Sequence, residues 1–396
     1  MDAIWKLRRE ALAVVGIVWL AGFHFFYDGF YHMAAFWLVL APLALANIDL
    51  LGGREGLRWK QLLALLLAWQ LGCGVIRAGA GVPVAGGFRD LLAVVLLVVA
   101  VLAVARVSWG WKACRAAIFV SAVATSAWAL VEFYLLSDLG LDEGRLRNVL
   151  IYPIGLNAVL TGLLAGFSMV AGFDLVRDGS RWRWWIRGGL ALLAFALMAT
   201  QSRGAMLATL AGLGVMIVVR RRQVLPEVVA ALAGVAAFLV TFVLGSGGGT
   251  GPDLVERGAT GRFEIWRVYL DGLEAADWWI GTGRVPALEE SVLGWFVHHP
   301  HAGWVSQIVW CGIPGLLLLG AFLGLAGASG WKRANLDATP LALLAFGVVG
   351  LTFDGGQIVS LASSPRIEPL LVLVPAVVAL VLGGRRETAS DEVGAL

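Results

Sequence analysis

Long apolar runs separated by polar connections organise this chain. A helix needs about 20 apolar residues to cross a hydrocarbon core of roughly 30 Å. Runs approaching that length recur near residues 11–27, 30–47, 61–76, 91–105, 116–136, 152–174, 185–200, 204–219, 224–245, 304–329, 340–360 and 367–382. The pattern predicts about 12 transmembrane helices: an all-α, polytopic integral membrane protein forming a single membrane domain over residues 1–396. One connection is long, the segment 246–303 between the ninth and tenth runs.

The basic residues orient the spans through the positive-inside rule. With Lys6, Arg8 and Arg9 in the cytoplasm, alternate loops receive Arg54, Arg58, Lys60, Arg106, Lys112, Arg115, Arg177, Arg181, Arg183, Arg187, Arg220, Arg221, Arg222, Lys332, Arg333, Arg385 and Arg386. That is 20 of the 30 basic residues and every lysine. Both termini are therefore expected inside, and the 246–303 loop outside. The basic cluster before the first run resembles a signal sequence, but no small-residue cleavage site follows, so it reads as a retained first span. The tail after Arg386 reads as a short disordered end, with no soluble domain appended.

Composition agrees. The chain is 59% hydrophobic and 14% charged, against about 45–50% and about 25% in soluble domains. Three cysteines, Cys73, Cys114 and Cys311, make no disulfide framework. A net charge of +3 is too small for a nucleic-acid binder.

The long loop is where chemistry is expected, because loops beyond about 15 residues are usually functional. It opens with a flexible stretch from Gly245 to Asp253. Phe263, Trp266, Leu270 and Leu273 then recur at helical spacing. This predicts an amphipathic helix at the membrane interface, anchored by Trp278 and Trp279. The loop closes on His298, His299, Pro300 and His301. Three readings of these histidines stand open: a polar cap on the next span, a metal site, or a general base, since imidazole suits proton removal at neutral pH. His298 and His299 precede Pro300 and fall in the loop. His301 follows it and is expected in the first turn of the tenth span.

Arginine adds a second signal. Arg203 stands in the hairpin between two runs of about 16 residues, roughly 24 Å each, so it is held near the hydrocarbon boundary. Arg145, Arg147, Arg262 and Arg267 fall on the same outer side, where no lysine occurs. Arginine is the residue suited to bidentate contact with phosphate oxygens, which points to a lipid-borne phosphate. Snorkelling of Arg203 would explain its position without any function. There is no P-loop, no G-x-G-x-x-G after a strand, no H-E-x-x-H and no Asp-x-Asp pair.

Several local patterns occur in order: Ser202-Arg203-Gly204-Ala205; Arg262 followed by Ile265 and Trp266; Gly281-Thr282-Gly283; His301-Ala302-Gly303-Trp304-Val305; and Gly312-Ile313-Pro314-Gly315. Arg145 ahead of Pro153 is a weaker match. In that order and spacing, over roughly residues 140–330, the chain resembles the O-antigen ligase and O-antigen polymerase superfamily, and lipopolysaccharide O-antigen ligases in particular. It departs from their pattern at Ala302, where Asn is usual, and at Trp304-Val305. The resemblance implies a fold similar to GT-C-type glycosyltransferases. It also implies a metal-independent, cofactor-free glycosyltransferase of the bacterial inner (cytoplasmic) membrane, with its site on the periplasmic side. Such an enzyme passes a glycan from undecaprenyl diphosphate to an acceptor hydroxyl, lipid A-core being favoured. By resemblance His301 is the base, and Arg203, Arg262 and Arg145 hold the diphosphate. His299, Arg147 and Arg267 are secondary candidates. The partners implied are the lipid-linked donor, the acceptor and membrane lipids, with no nucleic acid.

Two rivals share the fold, an O-antigen or exopolysaccharide polymerase and a protein O-oligosaccharyltransferase. A secondary transporter or flippase is the rival of another class. Transporters carry ionisable residues at the bilayer midplane. Here Glu132 and Asp354 come nearest to that, and both lie near outer span ends.

Overall fold

A computed structural model describes residues 2–25, 29–52, 56–78, 84–136, 146, 158–177, 182–220, 261–288, 297, 299–360 and 367–384. These are overwhelmingly helical, and a single antiparallel bridge, Leu288 to Val297, is the extended pairing among them. Apolar runs must fold this way in a membrane, because a helix satisfies its backbone hydrogen bonds internally.

The first half comprises α1 (Asp2–Ala21), α2 (Phe30–Ala46), α3 (Leu57–Ile76), α4 (Val84–Arg106), α5 (Gly110–Leu136) and α6 (Ala158–Phe173). Then come α7 (Arg183–Ala199), α8 (Arg203–Arg220), α9 (Arg262–Asp271), the one-turn α10 (Asp277–Ile280), α11 (Gly303–Arg333), α12 (Thr339–Phe353) and α13 (Pro369–Gly384). Among the described residues six helices, α3 to α6, α8 and α11, are long and apolar enough to cross a membrane. The apolar helices α2, α12 and α13 are shorter. The expected ninth run, 224–245, lies outside the described residues.

α6 is the central helix, with every residue from Thr161 to Phe173 buried. Small residues let its neighbours approach, the usual device where lipid removes the hydrophobic drive between helices. A Cβ on Gly162 would come within 3.0 Å of Ala205 on α8, and one on Gly350 of α12 within 2.9 Å of Leu163. Phe167 and Phe346 meet edge to face across α6 and α12 at 5.8 Å. This packing of α6, α8 and α12 fixes one end, where α8 begins and α12 stops, relative to the other, where α8 stops and α12 begins.

α11 is broken in its first half. Gly312 takes φ +68° and ψ −177°, a conformation open essentially to glycine, and Pro314 follows two residues on. The carbonyls freed by the break find donors outside the helix. The Thr282 and Gly283 amides reach Val309 and Trp310 at 2.8 and 3.1 Å, and the Trp69 indole of α3 reaches Cys311 at 2.9 Å. Backbone from Trp278 to Gly283 thus lies directly against Trp310 to Gly312. The Gly-Thr-Gly and Gly-Ile-Pro-Gly patterns are two halves of one joint. Arg77, at the end of α3, closes it with an ion pair to Asp277 and a 3.0 Å bond to the Gly281 carbonyl.

The loop helix exists, but its buried stripe is shifted from the expected one. Ile265 and Tyr269 are buried, with Trp266 and Leu273 partly buried beside them, in a small core with Val297 and Val309. Phe263 is 67% exposed. α9 docks on α11 and the loop, so its inward face is chosen by protein contacts rather than by lipid. Trp279 remains exposed, as an interfacial anchor would be.

Candidate functional site

The Ser-Arg-Gly-Ala signature can be read residue by residue. Ser202 caps α8, its hydroxyl oxygen 3.4 Å from the Ala205 amide. Arg203 is the first helical residue and is exposed. A Cβ on Gly204 would fall 2.7 Å from Phe353, so the start of α8 lies directly against the end of α12. Ala205 packs under Gly162 of α6. Three of the four residues build the corner, and the arginine is what the corner presents.

The start of α11 is tied to two other elements. The Trp266 indole of α9 donates to the Pro300 carbonyl at 2.9 Å, and the Trp304 indole donates to the Thr352 hydroxyl of α12 at 2.9 Å. His301 sits between these ties. It lies outside α11, which begins at Gly303, rather than in the helix's first turn. Its φ of +52° is left-handed, an uncommon state for a residue with a side chain. Its amide donates to His299 Nδ1 at 3.1 Å. The two imidazole ring centres lie 4.2 Å apart, with their planes tilted by 48°. His299 is therefore a partner of His301 rather than a residue turned to solvent.

Asp354 completes the group and was not among the sequence candidates. It stands one residue beyond α12 with extended backbone, and its side chain is 7% exposed. Its Oδ1 lies 3.0 Å from His301 Nδ1 and accepts the Gly355 amide at 3.0 Å. Burial pushes its carboxyl up, but the His301 hydrogen bond outweighs this. With the nearby His301, His299 and Arg262, it holds the group below the ordinary carboxylate value. An ionised carboxylate only accepts, so the shared proton belongs to His301 Nδ1, and in the neutral form of the ring the lone pair is on Nε2. The signal that could have found Asp354 was a lone acidic residue ending an apolar run, a functional default in membrane proteins.

Arg262 is the first residue of α9 and partly buried. Burial lowers its pKa, the Asp354 carboxylate opposes that, and the Arg203 charge lowers it further. The two arginines and the His301–Asp354 pair thus act on one another at one end of the bundle. Arg203, Arg262 and Gly303 each open a helix. Their N-terminal dipoles add positive potential there, suited to an anion. Ala302 brings no side-chain cap to α11, and His301 is held by His299 and Asp354 instead.

The remaining candidates separate from this group. Arg267 points to solvent, its side chain 81% exposed and paired with Asp271 at 3.2 Å. Arg145, Arg147 and His298 lie outside the described residues. Among the described residues no three His, Cys, Asp or Glu side chains form a metal-holding group.

Helices long and apolar enough to cross a membrane, with an imidazole–carboxylate pair beside two arginines at one end of the bundle, define a multi-pass membrane protein with an enzyme-like site. Residues 188–320 match the family model of O-antigen ligase, and this match supports the O-antigen ligase superfamily that the motifs resemble. The matched segment includes Arg203, Arg262, His299 and His301, while Asp354 and Arg145 fall outside it. No curated protein matches the chain.

Proposed function

We propose that this protein is a metal-independent glycosyltransferase of the bacterial inner membrane. It moves an O-antigen glycan from undecaprenyl diphosphate to an acceptor hydroxyl, with lipid A-core as the acceptor. All twelve apolar runs cross the membrane in this reading, both termini are cytoplasmic, and 246–303 is a periplasmic loop. The observation that carries it is the 3.0 Å contact of His301 Nδ1 with Asp354, beside Arg203 and Arg262.

In this mechanism His301 Nε2 removes the proton of the acceptor hydroxyl. The freed oxygen attacks the anomeric carbon of the donor sugar as its bond to the diphosphate oxygen breaks, and the proton stays on His301 until release. Charge grows on the departing lipid diphosphate, where Arg203 and Arg262 form charge-assisted hydrogen bonds that a preorganised site supplies without rearrangement. Arg145 joins them. His299 supports the backbone turn that aims His301.

The test is transfer by purified protein in nanodiscs, with an undecaprenyl-diphosphate glycan and lipid A-core, products identified by mass spectrometry. His301→Ala is expected to lose nearly all turnover while donor binding persists, since a positioned base contributes about 10²–10⁴-fold. His299→Ala should lose part of it and His298→Ala little. Retention of more than about a tenth of turnover by His301→Ala would place the base elsewhere. Transfer to a second lipid-linked repeat or to a pilin-like peptide, in place of lipid A-core, would identify a polymerase or a protein ligase.

A further inference from the structure

The opposite end of the bundle holds a polar assembly that the mechanism above does not use. Arg115 of α5 and Arg220 of α8 share Asp174, at 3.4 and 2.8 Å. The Thr339 hydroxyl donates to the same carboxylate at 2.7 Å and accepts from Arg115 at 2.8 Å. Arg115 also lies 3.7 Å from Asp337, whose other oxygen accepts the Trp111 indole at 3.0 Å. The Arg115 side chain is 10% exposed, and its buried Nε has no hydrogen-bond partner among the described residues.

Beside this assembly lies a cavity of about 240 Å³, where the end of α4, the start of α5 and the ends of α11 and α13 meet. Lys112, Arg115 and Arg333 line it, against one carboxylate, Asp337, and its far wall is apolar, with Ala379 and Leu382. At about 30 Å³ per water molecule, it has room for a phosphate and part of an attached glycerol. Exposed Trp109 and Trp331 flank it, and exposed Trp182, Trp184 and Trp185 open α7 at the same end. Tryptophans gather at headgroup depth, which is the level of lipid phosphates. Basic pockets between helices at that level bind phosphorylated or anionic headgroups.

We propose that this cavity binds the phosphate of an anionic membrane lipid. The guanidinium of Arg115, set by its buried partners, and the Lys112 and Arg333 cations at the rim meet the phosphate oxygens, while Ala379 and Leu382 meet the glycerol and the acyl chains. The occupant bridges the end of α11 and the turn into α12, the two helices whose far ends carry His301 and Asp354. The proposal does not depend on the reaction assigned above.

The test uses the full chain in detergent, with native mass spectrometry and thermal unfolding read together. Phosphatidylglycerol should be retained at one molecule per protein and raise the unfolding temperature, since a ligand that binds only the native state stabilises it. Phosphatidylcholine should do neither. Lys112→Gln and Arg333→Gln, both at the rim, should each weaken retention about tenfold with unchanged helix content, and Arg183→Gln, a surface change on α7, should not. Equal retention of both lipids, wild-type retention by both rim variants, or equal weakening by Arg183→Gln would overturn the site. The same protection by inorganic phosphate alone would overturn the lipid assignment in favour of free phosphate.

Discussion

His301 and Asp354 stand 53 residues apart in the chain, yet Nδ1 of one lies 3.0 Å from Oδ1 of the other. The contact joins the left-handed turn before α11 to the residue that ends α12. In the proposed reaction Asp354 touches no substrate, so it is a positioning residue: it fixes the tautomer and aim of the imidazole. Asp354→Asn preserves shape but presents either an amide donor or a neutral acceptor. We expect turnover to fall about 10²-fold or more while KM for the lipid-linked donor stays near wild type. Asp354→Glu should recover part of the loss. Equal losses in turnover and donor binding would mean that Asp354 serves folding alone.

The same carboxylate makes stability depend on pH in a known direction. Its folded pKa is depressed, so the unfolded chain binds its proton at higher pH than the native state does. Its contribution is then fully present above the unfolded carboxylate value of about 3.9 and is lost as pH falls through the lower folded value. Thermal unfolding of wild type and Asp354→Asn should therefore differ most at neutral pH and converge below about pH 4. A gap that widens on acidification would contradict the depressed pKa.

The sequence made the helices legible because apolar runs in lipid have few alternatives. Motif order made Arg203, Arg262 and His301 legible. What stayed hidden depended on contacts between distant segments. Asp354 looks like a stray charge near the end of an apolar run, because nothing local records that α8 and α12 pack through Gly204 and bring that end beside His301. The inward face of α9 is hidden for a related reason. Helical spacing allows more than one stripe, and the choice of Ile265 and Tyr269 is made by Val297 and Val309 across the loop. The Tyr269 hydroxyl, pushed up to about 12 by burial and donating to the Pro286 carbonyl, shows how far that face is enclosed.

Arg203 should not tolerate lysine. The corner formed by Ser202, Gly204 and Ala205 presents a planar fork at a helix start, and an ammonium cannot reproduce two parallel hydrogen bonds to phosphate oxygens. Removing one charge-assisted hydrogen bond costs about 1.5–3 kcal/mol, roughly 10- to 150-fold in turnover. Arg262→Lys should behave similarly, and Arg267→Lys, on the solvent face, should be silent. Single-turnover rates with separately measured donor affinity check this. Unchanged turnover in Arg203→Lys would reduce the arginine to an anchor for the hairpin.

If arginines stabilise the leaving group, chelation should not matter. Transfer should proceed equally in EDTA and in added magnesium or zinc. Activity abolished by EDTA and restored by one divalent ion would give the phosphate-binding role to a metal and overturn the arginine mechanism.

The break in α11 offers a test of architecture apart from chemistry. At Gly312 a side chain meets two obstacles. The backbone conformation is one that residues with a Cβ rarely adopt, at about 1–3 kcal/mol, and a Cβ would overlap the Trp279 carbonyl. Straightening the helix to relieve this would withdraw the Val309 and Trp310 carbonyls from Thr282 and Gly283 and release the loop segment beside the site. Gly320, about two turns further along α11, is an internal control, because a Cβ there meets nothing within 4 Å. Gly320→Ala should leave the unfolding temperature unchanged or raise it slightly, since alanine is favoured over glycine within a helix by about 1 kcal/mol. Gly312→Ala should lower it by several degrees and expose the 277–283 segment to proteolysis. Equal midpoints and equal protection in the two variants would show that the kink is not what holds the loop in place.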